Sequence, residues 1–172
     1  MKNVITCDKD GNSIGTCEVL KAHTGQGIRH KAFSAFVFRN NGNELLLQKR
    51  SAAKPFFSLL WSNTCCSHPQ DDDLVKEAEK RLQEEMGFTC ALTIGASFVY
   101  QAKDPNSDMS ENEYDTVLIG NVEGEIYINP DPNEVAETRW ISMEELLVEL
   151  DEKPEEFTPW FSQGLSLIFN QS

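Results

Sequence analysis

Asp71-Asp72-Asp73-Leu74-Val75-Lys76-Glu77-Ala78-Glu79-Lys80-Arg81-Leu82-Gln83-Glu84-Glu85-Met86-Gly87-Phe88 is the stretch on which the reading of the fold turns. Leu74, Ala78, Leu82 and Met86 recur every four residues and Val75 widens the stripe, which is the spacing of a helix with one apolar face. The three aspartates suit the positive N-terminal end of such a helix, and Gly87 suits its stop. The pattern predicts a helix over 71–86 that lays its stripe on a sheet and turns a charged face outward.

Immediately upstream lies Trp61-Ser62-Asn63-Thr64-Cys65-Cys66-Ser67-His68-Pro69. In an extended segment residues two apart share a side, so Cys66 and His68 are expected to face one cavity while Cys65 faces away. The other two histidines, His23 and His30, lie in Ala22-His23-Thr24-Gly25-Gln26-Gly27-Ile28-Arg29-His30, and a carboxylate pair, Glu111 and Glu113, lies in Ser110-Glu111-Asn112-Glu113-Tyr114. Three imidazoles and two carboxylates are a ligand set that suits zinc, manganese or iron. Each residue alone reads as an ordinary surface or core residue, and no spacing joins the three segments.

Working outward, strands are expected over 3–7 and 14–19 around the turn Asp8-Lys9-Asp10-Gly11-Asn12, and a second hairpin over 31–39 and 44–49 around Asn40-Asn41-Gly42. Further strands are expected over 96–101, 114–122 and 125–128. Pro130-Asp131-Pro132 breaks the run, and helices follow over 143–150 and 159–169. The order reads as α/β (or α+β), with layers of helix, sheet and helix.

The 172 residues are expected to form one domain, 1–172. A net charge of −13 argues against a nucleic-acid surface, and any anionic substrate needs a local basic patch, for which Lys49, Arg50 and Lys54 are candidates. Five cysteines, an odd number, and the lack of an apolar leader or membrane-length run fit a reduced, cytoplasmic protein without membrane insertion.

The helix tail resembles the end of the Nudix box, Arg-Glu-apolar-x-Glu-Glu-x-Gly-apolar. Leu82, Glu84, Glu85, Gly87 and Phe88 match; Lys80 and Arg81 stand in place of the Arg-Glu pair, and the upstream Gly and Glu positions fall on Cys66 and Asp72. With one helix carboxylate replaced by a cation, the scaffold looks more like a diphosphate binder than a diphosphate cutter. Taken with His30-Lys31-Ala32-Phe33-Ser34, Leu45-Leu46-Leu47-Gln48-Lys49-Arg50-Ser51, Asn63–Pro69, Glu111-Asn112-Glu113 and Thr158-Pro159-Trp160, the chain closely resembles the metal-dependent (type I) isopentenyl-diphosphate Δ-isomerases of the Nudix superfamily.

That resemblance implies a Nudix-like helix–sheet–helix sandwich on a mixed sheet, and an enzyme that interconverts isopentenyl and dimethylallyl diphosphate. It implies metal ligands at His23, His30, His68, Glu111 and Glu113, with Mn2+, Zn2+ or Mg2+ as the ion. It implies catalytic roles for Cys66, Glu113 and Tyr100. Glu85 matches a carboxylate that reaches the Mg2+ carried by the substrate diphosphate, and Arg50, Lys54 and Arg81 match basic residues around that diphosphate. Trp160 matches an aromatic residue facing the hydrocarbon. The partner implied is a small isoprenyl diphosphate. Two rivals make different predictions. A Nudix hydrolase needs the complete helix carboxylate set, and a metal-storing structural domain has no use for a free Cys66 thiol or a basic cluster.

Overall fold

The computed structural model describes residues 2–70 and 73–169. Among them the framework is a nine-stranded mixed sheet. In chain order the elements are β1 (Asn3–Cys7), β2 (Ser13–Glu18), α1 (Val19–His23), β3 (His30–Arg39), β4 (Glu44–Arg50), β5 (Trp61–Ser62), β6 (Cys65–Ser67), α2 (Leu74–Met86), β7 (Leu92–Lys103), β8 (Ser110–Asn121), β9 (Val135–Ser142), α3 (Met143–Glu152), a 3-10 turn (Pro154–Glu156) and α4 (Phe161–Phe169).

β3 is the spine. One edge runs parallel to β8, from His30↔Glu113 to Phe38↔Asn121. The other edge pairs in succession with β1, β6 and β4. β7 lies outside β8, and β9 lies outside β4.

The β3–β4 hairpin pairs only beside its turn, at Phe38↔Leu45 and Arg39↔Glu44, and then splays open. Residues 61–67 fill the gap, with β5 on β4 and β6 on β3. Two polar side chains make this possible. Thr64 Oγ1 accepts from Val37 N at 2.9 Å and donates to Leu46 O at 2.6 Å, spanning the divergence. Asn63 Nδ2 donates to Ala35 O and Cys65 O at 3.2 and 2.7 Å. Without them, backbone groups buried at the fork would lack partners. The Cys66 segment is thereby held extended at the mouth of the fork.

Strand alternation divides the core in two. Phe33, Ala35 and Val37 face Leu46, Leu118 and the α2 stripe of Ala78, Leu82 and Met86. Phe36 and Phe38 face Leu45, Leu47, Val117, Leu146 of α3, and Phe161 and Leu165 of α4. Each large side chain buried in this way contributes roughly 1.5–3 kcal/mol. The result is the expected layering of helix, sheet and helix, in the α+β class.

Several expectations are corrected. The helix begins at Leu74, with Asp73 accepting from Lys76 N as its cap; Asp71 and Asp72 lie outside the described residues. The second strand ends at Glu18, and Val19 opens α1. β7 starts at Leu92, four residues before the expected position, with a register shift between Ile94 and Ser97. β9, Val135–Ser142, forms where no strand is expected, between Pro132 and the helix at 143. The strand expected at 125–128 does not form. Instead, the segment crosses the end of α2, where Asn129 N and Asp131 N donate to Met86 O and Glu85 O at 3.0 and 2.9 Å and satisfy carbonyls the helix cannot. Pro130 and Pro132 have no N–H for a ladder. Gly87 permits the crossing: its φ is +76°, and a Cβ there would lie 2.4 Å from Asn129 O.

Candidate active site

Sheet register assembles the site. Glu113 lies opposite His30 across the β3–β8 ladder and opposite Tyr100 across the β7–β8 ladder, so these three side chains form one row on one face. Glu111 is two residues earlier on that face. Segment 65–68 brings in His68 from the other side of β3, where Ser34 pairs with Cys66. His23 arrives on α1, a helix of five residues. The loop after it is docked against the start of β8 by Gly25 N to Asp108 O at 3.0 Å and by Ser110 Oγ to Gly25 O at 2.6 Å.

The structure brings His23, His30, His68, Glu111 and Glu113 together, with one ligand atom from each all within 4.8 Å of one another. His23 Nε2 lies 3.0 Å from Glu111 Oε2, while Glu113 Oε1 lies 3.3 Å from His30 Nε2 and 2.9 Å from His68 Nε2. His23 Nδ1 lies 2.7 Å from Val19 O and His30 Nδ1 lies 2.7 Å from Ile28 O. A carbonyl can only accept, so both Nδ1 atoms carry the proton and both Nε2 atoms turn lone pairs inward. His23 Nε2, His30 Nε2 and Glu111 Oε2 are buried without a hydrogen-bond partner. Lone pairs converging on one point, without protons between them, fit a divalent cation.

Burial would raise the Glu113 carboxyl, but the adjacent His30 and His68 imidazoles hold it well below the usual range. Glu111 is raised, by burial and then by the nearby Glu113. Burial pushes His68 down to about 4. The Tyr100 phenol is raised well above its ordinary value by burial and by Glu113, to which its hydroxyl donates.

Beside this cluster is a pocket of about 160 Å³, whose wall includes Cys66, Tyr100, Trp160, Phe56, Lys54 and Arg81. Cys65 is fully buried on the α2 side, so the adjacent thiols do face opposite ways. Burial pushes the Cys66 thiol up to about 12, against the pull of Arg50. Trp160 Nε1 donates to Asn63 Oδ1 at 3.1 Å, and its ring lies 5.6 and 5.8 Å from Phe57 and Tyr100.

The basic residues are more committed than their sequence suggests. Arg50 is buried and donates from Nε to Phe57 O at 2.8 Å and from Nη2 to Phe56 O at 3.1 Å, leaving Nη1 at 3.8 Å from Cys66 Sγ. It fixes loop 51–59 and thereby Phe56, which stacks on His23 at 4.7 Å. Glu134 bridges the other two cations, with Lys54 Nζ at 2.7 Å and Arg81 Nη2 at 2.6 Å. Burial would raise the Glu134 carboxyl, but these two cations hold it down to about 2. Arg81 Nε also lies 2.8 Å from Glu85 Oε1, and Glu85, 2% exposed, sits outside the pocket wall with Gln48 at 3.3 Å.

Three participants were missed in the sequence. Asp115 continues the Glu111–Glu113 alternation and accepts from Ser34 Oγ at 2.7 Å; that spacing could have found it. Glu134 lies in an irregular loop after Pro132, and Phe56 follows Pro55; neither carries a local signal.

Comparison with known proteins agrees with this geometry. The NUDIX domain model matches residues 28–161. The fold is shared with DR0079 from Deinococcus radiodurans, with a TM-score of 0.66 at 16% identity over 88% of this chain and 90% of that one. The fold and site thus define a Nudix-type domain with an imidazole–carboxylate centre. An isopentenyl-diphosphate Delta-isomerase of Halorhodospira halophila is 42% identical over 94% of this chain and 91% of its own length. One of Nocardia farcinica is 40% identical over 93% and 90%. The chain belongs to the isopentenyl-diphosphate Delta-isomerases of the Nudix superfamily.

Proposed function

We propose that this protein interconverts isopentenyl diphosphate and dimethylallyl diphosphate, with the 1–172 chain acting as one catalytic domain. The observation that carries the site reading is the juxtaposition, in one pocket, of the Cys66 thiol from β6 and the Tyr100–Glu113 pair from β7 and β8, with β3 between them. Isomerisation forms a C–H bond at the terminal alkene carbon and breaks one at C2, whose electrons become the new double bond. One proton donor and one acceptor must therefore address the same five-carbon chain.

In the forward direction Glu113, relayed through Tyr100, gives the proton to the alkene and Cys66 as thiolate takes the C2 proton. A turnover leaves Glu113 ionised and Cys66 a thiol. That is also the pattern that hydrogen bonding and burial favour at these two groups. Before the next forward turnover Glu113 must regain a proton and Cys66 must lose one. Arg50, at 3.8 Å from Sγ, is the cation that stabilises the thiolate when it forms.

Protonation gives a tertiary, carbocation-like centre. Trp160, Tyr100 and Phe56 line the pocket and give its wall an aromatic part. An indole face stabilises positive charge by roughly 0.5–2 kcal/mol. Lys54 and Arg81 would hold the diphosphate, and Glu85 would be available to its Mg2+ if Arg81 turned from Glu85 Oε1 toward the phosphates.

His23, His30, His68, Glu111 and Glu113 would hold one divalent ion, and Mn2+, Zn2+ and Mg2+ suit the set. Bound there, the ion supplies a fixed positive charge that orients Glu113 and sets its acidity. The protein side of that arrangement is the locking of His23 and His30 by Val19 O and Ile28 O. Five free thiols, and the lack of any described helix long and apolar enough to cross a membrane, favour the cytoplasm.

The experiment is incubation with isopentenyl diphosphate and Mg2+, following both the allylic isomer and inorganic phosphate. Isomer without phosphate supports the reading; phosphate without isomer makes the protein a Nudix hydrolase.

A further inference from the structure

An inventory of charge around the pocket points to a residue outside every motif. Four cations border it: Lys2, Arg50, Lys54 and Arg81. Arg50 is taken up by the carbonyls of Phe56 and Phe57. Lys54 and Arg81 share Glu134, and Arg81 also faces Glu84 and Glu85 at 3.3 and 2.8 Å. Among the described residues, Lys2 is the one bordering cation whose side chain has neither an ion pair nor a hydrogen bond. A diphosphate entering beside Lys54 and Arg81 meets cations already neutralised by carboxylates, so the uncompensated charge at Lys2 weighs heavily in its capture.

The backbone at this point is built in, although the side chain is exposed. Val19 N donates to Lys2 O at 3.0 Å, and Gln70 Nε2 donates to Asn3 O at 3.0 Å, tying the start of β1 both to α1 and to the chain beyond His68. Lys2 also borders an adjoining groove along α2, shared with Ser67, His68, Arg81 and Glu84. It thus borders both the pocket and the groove along the helix that carries Arg81, beside His68.

We infer that Lys2, at the start of the β1–β2 hairpin, is a substrate-binding residue that anchors the diphosphate. The inference rests on the diphosphate reading of the pocket. It assigns the N-terminal hairpin a part in binding beyond its part in the sheet.

The test is steady-state kinetics with isopentenyl diphosphate at saturating Mg2+, together with calorimetric binding of inorganic pyrophosphate, for the parent, Lys2→Ala, Lys2→Glu, Lys2→Arg and the control Lys9→Ala. Lys9 is at the far turn of the same hairpin and pairs with Asp10. Losing one charge-assisted contact should raise KM and the pyrophosphate Kd roughly tenfold in Lys2→Ala, with kcat held within about twofold. Lys2→Glu should be worse, and Lys2→Arg and Lys9→Ala should match the parent. This ordering by charge is not one that misfolding would produce. Unchanged KM and Kd in Lys2→Ala overturn the inference, as does equal damage in Lys2→Ala and Lys2→Arg, or a fall in kcat at constant KM. A parent inert toward isopentenyl diphosphate overturns the substrate reading instead, and the pyrophosphate arm then still decides Lys2.

Discussion

Tyr100 and Glu113 are register partners across the β7–β8 ladder, and the Tyr100 hydroxyl donates to Glu113 Oε2 while His30 and His68 flank Oε1. One carboxylate thus has one oxygen turned to the histidine cluster and the other to Tyr100 and the pocket. The two functions should separate by mutation. Tyr100→Phe removes only the pocket-side partner, so it should lower kcat by roughly 10²–10⁴-fold with metal content intact. Glu113→Gln should lower both. Metal analysis alongside single-turnover rates checks this; loss of metal in Tyr100→Phe would contradict it.

The adjacent cysteines should behave oppositely. Cys66→Ala should abolish isomerisation while the protein stays folded, since Cys66 lines the pocket. Cys65→Ala should keep most activity and lose about 1 kcal/mol of stability, because Cys65 is packed against the α2 core. Equal loss of turnover in two folded variants would sink the assignment.

Removing the ion from the imidazole–carboxylate cluster should destabilise the fold. Buried lone pairs on His23, His30 and Glu111 would then face one another without compensation. For a site filled at about a thousandfold over Kd, the linkage is roughly 4 kcal/mol, or a fall in Tm on the order of 10 °C on chelation. His68→Ala should show lower metal content and a smaller response to chelator. Full occupancy and activity in that variant would require the ligand set to be redrawn.

Glu85 should act through the magnesium of the diphosphate. Glu85→Gln is expected to raise the Mg2+ concentration needed for half-maximal rate and to weaken substrate binding, while the histidine-site metal is retained. An unchanged Mg2+ dependence would remove Glu85 from the mechanism. Gly87→Ala tests the neighbouring support. With φ at +76° and Asn129 O in the way, it should cost about 2 kcal/mol or more and lower Tm by roughly 4–8 °C.

The parts of the fold legible in the sequence were those written in short-range pattern. The α2 stripe, the Asn-Gly turn and the alternation that separates Cys65 from Cys66 each depend on residues within a few positions. The convergence of His23, His30, His68, Glu111 and Glu113 does not. It depends on β3 lying parallel to β8 and on segment 61–67 filling the fork between β3 and β4, and both are long-range pairings. Only the resemblance joined those segments. Glu134 was invisible for a related reason: it reaches Lys54 and Arg81 because the 125–132 segment crosses the end of α2, where a strand had been expected. The commitment of Arg50 to backbone carbonyls likewise depends on the path of loop 51–59.

The central claim is that the pocket moves protons on and off carbon and leaves the diphosphate whole. The direct measurement is incubation of the protein with isopentenyl diphosphate and Mg2+ in deuterated water, read by proton and phosphorus magnetic resonance. The account predicts deuterium at the terminal carbon and at C2, exchanged through the reversible reaction, with both phosphorus signals of the diphosphate preserved. Inorganic phosphate released with no deuterium in the hydrocarbon would contradict it.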